Sequence, residues 1–141
     1  MPTSGSRLPT RIVLDTSAYS RFVARDERVT SFLEAAQVIY LPAVVVGELE
    51  SGFRAGGQFD INRNLLMTFL ELAYVRVLPV TTDVARVYGL LHAELKRLGK
   101  PLSTNDLWIA ATTMEAGAHL ITFDGDFKEV PALDRTILKA S

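Results

Sequence analysis

Short apolar runs without polar alternation punctuate the chain: RIVLD at 11–15, VIYLP at 38–42 and HLIT at 119–122. An unbroken apolar run of this length is the pattern of a strand buried on both faces. VRVLPV (75–80) predicts another strand, and TILKA (136–140) a fifth. The segments between them carry helical spacing. TSAYSRFVA follows the first strand, with Thr16 or Ser17 as its cap. DERVTSFLEAAQ (26–37) places Val29, Phe32, Leu33 and Ala36 at helical spacing, with acids in its first turn. NRNLLMTFLELA (62–73) is amphipathic. TDVARVYGLLHAELKRLG (82–99) predicts a long helix capped by Thr82 and closed by Gly99. TNDLWIAATTMEAG (104–117) puts Leu107, Ala110, Ala111 and Met114 on one face and stops at Gly117.

AVVVGELESGFRAGG (43–57) pulls two ways. Val44 to Val46 favour a strand. Pro42 suits a helix start, and Val45, Leu49, Gly52 and Phe53 share a helical face. A helix ending at Gly56–Gly57 is the reading adopted. Strands alternating with helices then predict an α/β fold, a parallel sheet covered on both faces.

Composition narrows the class. The 141 residues suffice for one domain with a substantial core. The opening MPTSGSRLPT (1–10) reads as a flexible leader with no apolar signal region, and 11–141 as a single domain. The chain has no cysteine, which excludes a disulfide scaffold and thiolate metal sites. No apolar run approaches the roughly 20 residues that span a bilayer. A cytoplasmic protein with no membrane contact is expected. The formal net charge of −1 supplies no global field for nucleic acid, so polyanion binding needs a local basic patch.

The acids change the picture. Asp15 ends the first strand, and Asp124 and Asp126 follow the fourth. Asp106 opens the late helix, and Glu48 lies one turn inside the helix after the second strand. In open parallel sheets, ligands bind beyond the carboxyl ends of the strands, at the point where strand order reverses. All these acids can reach that rim from separate stretches of chain. Two carboxylates about 5 Å apart repel by roughly 3 kcal/mol at an effective dielectric near 20. A cation between them removes the repulsion, and hard divalent ions take oxygen ligands. With no cysteine and only His92 and His119, zinc is poorly supplied. Mg²⁺ or Mn²⁺ is the expected cofactor. Such an ion can activate a water and neutralise charge on a phosphodiester.

IVLDTSAYS, GELESGFRAG, NDLWIAATTMEAGAHLIT and TFDGDF stand in the order and rough spacing of PIN-domain ribonucleases. The chain from about residue 11 onward most resembles the VapC toxins of toxin–antitoxin pairs. The resemblance implies a three-layer α/β/α fold around a central parallel sheet of four to five strands. It implies metal-dependent cleavage of RNA, often tRNA or another structured RNA in this subgroup. It assigns the acidic pocket to Asp15, Glu48, Asp106 and Asp124, with Asp15 and Asp106 as the most direct metal ligands. Thr16, Asn105 and Thr122 are expected to support the site by hydrogen bonding. Asp126 is a supporting residue that serves either the metal or its own turn. Homodimers and a small antitoxin protein, whose tail enters the groove, are the implied partners. The alternative is a PIN-like module that binds RNA or a partner without cutting.

Other features carry less. Arg21, Arg25 and Arg28 are candidates for a basic stripe beside Asp15, and Arg54, Arg97 and Lys100 for a rim. Trp108 is expected against the sheet, His92 at the surface or an interface, and His119 in a structural role. Tyr19 and Phe22 are expected in packing. A haloacid-dehalogenase-like phosphatase would need an acid where Ser17 stands. A receiver domain would need an Asp after the third strand, which LPVTT lacks.

Overall fold

A computed structural model describes residues 7–140. Residues 1–6, most of the expected leader, lie outside the described residues. Five strands form one parallel sheet in the order β3-β2-β1-β4-β5. They are β1 (Arg11–Leu14), β2 (Val38–Pro42), β3 (Val75–Leu78), β4 (His119–Thr122) and β5 (Arg135–Ile137). Six helices connect them: α1 (Thr16–Val23), α2 (Glu27–Ala35), α3 (Ala43–Ala55), α4 (Phe59–Leu70), α5 (Thr82–Leu98) and α6 (Thr104–Glu115). A 3₁₀ turn spans Gly125–Glu129. The layered α/β/α architecture with a central parallel sheet is as expected.

The core lies where the apolar runs are. Ile12, Val13, Leu14, Ile39, Leu41, Leu120 and Ile121 are all completely buried, because helices cover both faces of the three central strands. The edge strand β3 differs, with Arg76 and Val77 exposed. It is also shorter than expected, ending at Leu78. β5 pairs through Arg135–Ile137 rather than 136–140.

Local chemistry sets the helix ends. The α1 cap is neither Thr16 nor Ser17. β1 ends at Leu14 and the helix starts at Thr16, so Asp15 alone stands between them, in extended conformation, and accepts from the Ala18 amide. Thr81, one residue earlier than expected, caps α5, and Gly99 closes it at φ +70°. Ser103 caps α6. The segment after β2 is helical throughout 43–55, since Pro42 opens it and Val45 and Leu49 pack inward. α4 begins at Phe59, three residues before the expected start.

One consequence positions the site. From β1 the chain moves outward through β2 and β3, then returns to the other side of β1 for β4 and β5. The reversal of strand order lies between β1 and β4, whose carboxyl ends carry Asp15 and Asp124.

Candidate active site

Asp15 is almost fully buried, at 4% exposure. Its Oδ1 accepts from the Ala18 amide at 2.8 Å and from the Ser17 hydroxyl at 2.7 Å. Its Oδ2 accepts from Thr122 at 2.5 Å. Burial pushes its carboxyl above the ordinary value; the bonds from Thr122, Ser17 and Ala18 oppose this, and the nearby Asp124 charge adds to it.

Thr122 and Ser17 each work in two directions. Thr122, completely buried at the end of β4, donates to Asp15 and accepts from the Asp124 amide at 2.9 Å. Ser17 donates to Asp15 and accepts from the Phe123 amide at 3.0 Å. Two hydroxyls thus clamp the first acid to the turn that carries the fourth. Ser17 was not among the expected site residues. A hydroxyl two positions after a strand-end acid was the available signal.

Glu48 has both oxygens occupied. Thr16 donates to Oε1 at 2.5 Å and the Asn105 amide to Oε2 at 3.0 Å. This links α1, α3 and α6. An open groove lined by Val44, Gly47, Glu48, Ser51, Gly52 and Asn105 leads to this carboxylate.

Asp106 sits in the first turn of α6, its amide donating to the Ser103 hydroxyl at 3.2 Å. Its carboxyl is pushed up to about 6, chiefly by burial. A bond between the Ser103 hydroxyl and the Asp106 side chain opposes the rise, while the charges of Asp124, Asp15 and Glu48 add to it. All four expected acids therefore meet electrostatically at Asp106. Asp126 does not join them. It is exposed, and its amide donates to Asp124 Oδ1 at 2.9 Å, which shapes the 3₁₀ turn.

The donors are all carboxylate oxygens, the type that suits a hard divalent cation. Among the described residues, however, no three acids or histidines are gathered closely enough to hold one ion together.

His119 is structural, its Nε2 2.7 Å from the Thr136 hydroxyl. Trp108, partly buried against the core, stacks on Tyr88 of α5, with ring centroids 3.9 Å apart. Ala110 and Ala111 of the same helix are fully buried. His92 is exposed and stacks on the same tyrosine. Tyr19 is buried edge-on to Phe69. Of the basic candidates for a rim, Arg97 pairs with Glu94 and Lys100 with Glu129, while Arg54 lies over the Phe59 ring.

With this geometry in place, comparison with known proteins gives the class. The PIN domain family pattern matches residues 12–133, and the chain belongs to that family. It is 34% identical over 125 residues to Ribonuclease VapC5 of Mycobacterium tuberculosis, covering 86% of this chain and 89% of that one. The VapBC-5 crystal structure, a member of the VapBC family of toxin–antitoxin systems from the same organism, superposes with a TM-score of 0.69 at 31% identity. That match covers 94% of this chain and 100% of the other. VapBC2 from Rickettsia felis, bound to a DNA fragment from its promoter, shares the fold at a TM-score of 0.82 and 23% identity, with 91% of this chain and 98% of that chain covered.

Proposed function

We propose that this protein is an endoribonuclease, the toxin of a toxin–antitoxin pair, and that its hydrolysis of RNA depends on Mg²⁺ or Mn²⁺. The observation that supports it is that Asp15, Glu48 and Asp124, from three other chain segments, all raise the carboxyl of Asp106 by their charge, while Asp15 and Asp124 stand at the β1–β4 rim. The ribonuclease name of a relative 34% identical over most of the chain supports the same reading.

In this reading Asp15 and Asp106 bind the ion, and Asp124 and Glu48 complete the pocket directly or through water. When bound, the ion lowers the pKa of a water and offsets charge on the phosphodiester. Glu48 keeps a fixed orientation because Thr16 and Asn105 hold both its oxygens, which leaves their remaining lone pairs to orient the attacking water. Thr122 and Ser17 hold Asp15 in one rotamer. Asp106, whose carboxyl is pushed up to about 6, would hold the ion in its deprotonated form.

A small antitoxin is the natural partner, because the solved relative at 31% identity is a VapBC pair. Exposed Val23, Ile61 and Leu65 on α1 and α4 give such a partner, or a second copy, apolar surface to cover. Among the described residues no helix is long and apolar enough to cross a membrane. The reading puts the protein in the cytoplasm with its RNA.

The spacing of the acids favours one second reading, a PIN module that binds RNA without cutting. Purified protein freed of any partner decides between them. Cleavage of RNA with Mg²⁺ or Mn²⁺, abolished by EDTA and by Asp106→Asn, supports the nuclease. RNA binding without cleavage under any divalent ion supports the silent module.

A further inference from the structure

The face of α1 that carries Ser17 also carries Arg21, one turn further on. Ser17 bonds the Phe123 amide, and the Arg21 guanidinium lies over the Phe123 ring, 5.0 Å from its centroid. A second guanidinium, that of Arg28, lies over the same ring at 5.4 Å. Arg25 takes a left-handed φ of +67° between the two helices, and the resulting sharp turn returns Arg28 toward Phe123. Phe123 is the residue immediately before Asp124. Two cations therefore converge within one residue of the acid pocket.

Their partners differ. Arg28 is compensated: it pairs with Asp26 at 2.8 Å and donates to the Lys139 carbonyl at 2.8 Å. Arg21 makes no ion pair and no side-chain hydrogen bond among the described residues. Arg21 is partly buried, and its guanidinium rests on the ring with its fork of donors unused. A positioned guanidinium with free donors beside a second cation suits a phosphate, which accepts the fork and relieves the like-charge proximity. The overall charge of −1 makes such a local cation necessary for RNA binding rather than incidental.

We propose that Arg21, held over Phe123 and backed by Arg28, is the subsite that binds a backbone phosphate of the RNA beside the acid pocket. This rests on the ribonuclease reading and adds where the substrate backbone runs: off the acid pocket, past the β4 turn, toward α1 and α2. Phosphate contact positions the chain and carries no base information. The subsite therefore raises affinity for all sequences alike.

The test uses the full chain freed of partner, with a fluorescein-labelled random single-stranded RNA pool in EDTA, titrated between roughly 50 and 200 mM KCl. Arg21→Gln keeps a planar polar group over the ring and removes the charge. It should bind RNA about tenfold more weakly, with the slope of log K against log salt reduced by about 0.7, the value of one phosphate contact on a single strand. Arg21→Lys should keep the slope and recover part of the affinity. In cleavage assays with Mn²⁺, Arg21→Gln should raise KM and leave kcat near wild type. Arg76→Gln, on the exposed edge strand, should change neither quantity. Melting temperatures check the fold, and should Arg21→Gln melt low, the slope retained by Arg21→Lys against that of wild type carries the decision. Wild-type affinity and slope in Arg21→Gln overturn the subsite while leaving the nuclease intact, whatever the variant does to partner binding. A wild-type chain that neither binds nor cuts RNA overturns both.

Discussion

The Thr122 hydroxyl donates to Oδ2 of Asp15 across 107 positions of sequence and joins the carboxyl ends of the two central strands, β1 and β4. The Thr122 hydroxyl oxygen also accepts from the Asp124 amide. This buried hydroxyl, together with that of Ser17, ties Asp15 to the turn that carries Asp124.

Thr122→Val is the matching variant. It removes the largest of the bonds that oppose the upward shift of Asp15, so that carboxyl rises further. Loss of a buried bond to a charged acceptor costs about 1.5–3 kcal/mol. Urea denaturation should show that loss, and the acid limb of the cleavage profile should move to higher pH. An unchanged midpoint together with an unchanged profile would show that the hydroxyl is not coupled to the acid.

Asp106→Asn should stabilise the fold at neutral pH while ending cleavage. The sign follows from linkage. The folded-state pKa, raised to about 6, lies above the usual 3.8, so the folded protein holds the proton more tightly than the unfolded chain. The contribution to stability is present at low pH and is lost as pH rises through about 6. The asparagine has no charge to bury. Its melting temperature should exceed wild type by a few degrees above pH 6, and the gap should close toward pH 4. A gap that widens on acidification would contradict the shift.

Divalent cation should reverse that penalty. Mn²⁺ should raise the wild-type melting temperature near neutral pH and do so much less near pH 5, where Asp106 is mostly protonated. At a free concentration of 100 times Kd the stabilisation is about 2.7 kcal/mol. Calorimetric scans with Mn²⁺, EDTA and Ca²⁺ read this without any RNA. No response in wild type, or an equal response in Asp106→Asn, would remove this acid from the cation site.

Asn105→Ala tests the support of Glu48. Asn105 is exposed, so its loss should leave stability near wild type. It frees one oxygen of Glu48, and outer partners of metal-site ligands are typically worth 10–100-fold in affinity or activity. Mn²⁺ affinity or cleavage should fall by about tenfold. Thr16→Val should act in the same direction through the other oxygen, and the double variant should fall short of the sum, since both act on one carboxylate. Full activity in both would mean that Glu48 needs neither bond.

Much of the fold was legible because its signals are local. The IVL of β1, the VIYLP of β2 and the LI of β4 are apolar without alternation, and a strand covered on both faces buries such a run. Gly99 marks a helix end because a left-handed φ is cheap only without a Cβ. The placement of Asp15, Asp106 and Asp124 at element ends could be read for the same reason: an acid at a strand end or in a first helical turn is a matter of position along the chain.

The partners of those acids were not legible in that way. Ser17 and Thr16 are adjacent alternatives for one cap by composition, yet neither caps. One turns to Asp15 and Phe123, the other to Glu48, 32 residues away. The basic candidates beside Asp15 looked alike in sequence. Folding gave Arg28 an acid and a carbonyl, and left Arg21 with only an aromatic face. The apolar helix around Trp108 indicates packing, but not that its ring stacks on Tyr88 of α5.

The amino-acid order alone therefore determined which segments become strands and helices and which acids stand at their ends, since periodicity and capping act over a few residues. Tertiary structure decided which of those acids share a charge environment, which hydroxyl orients which carboxylate, and which arginine keeps its donors free. Those outcomes depend on the reversal of strand order between β1 and β4, a contact between segments some hundred residues apart that no local pattern encodes.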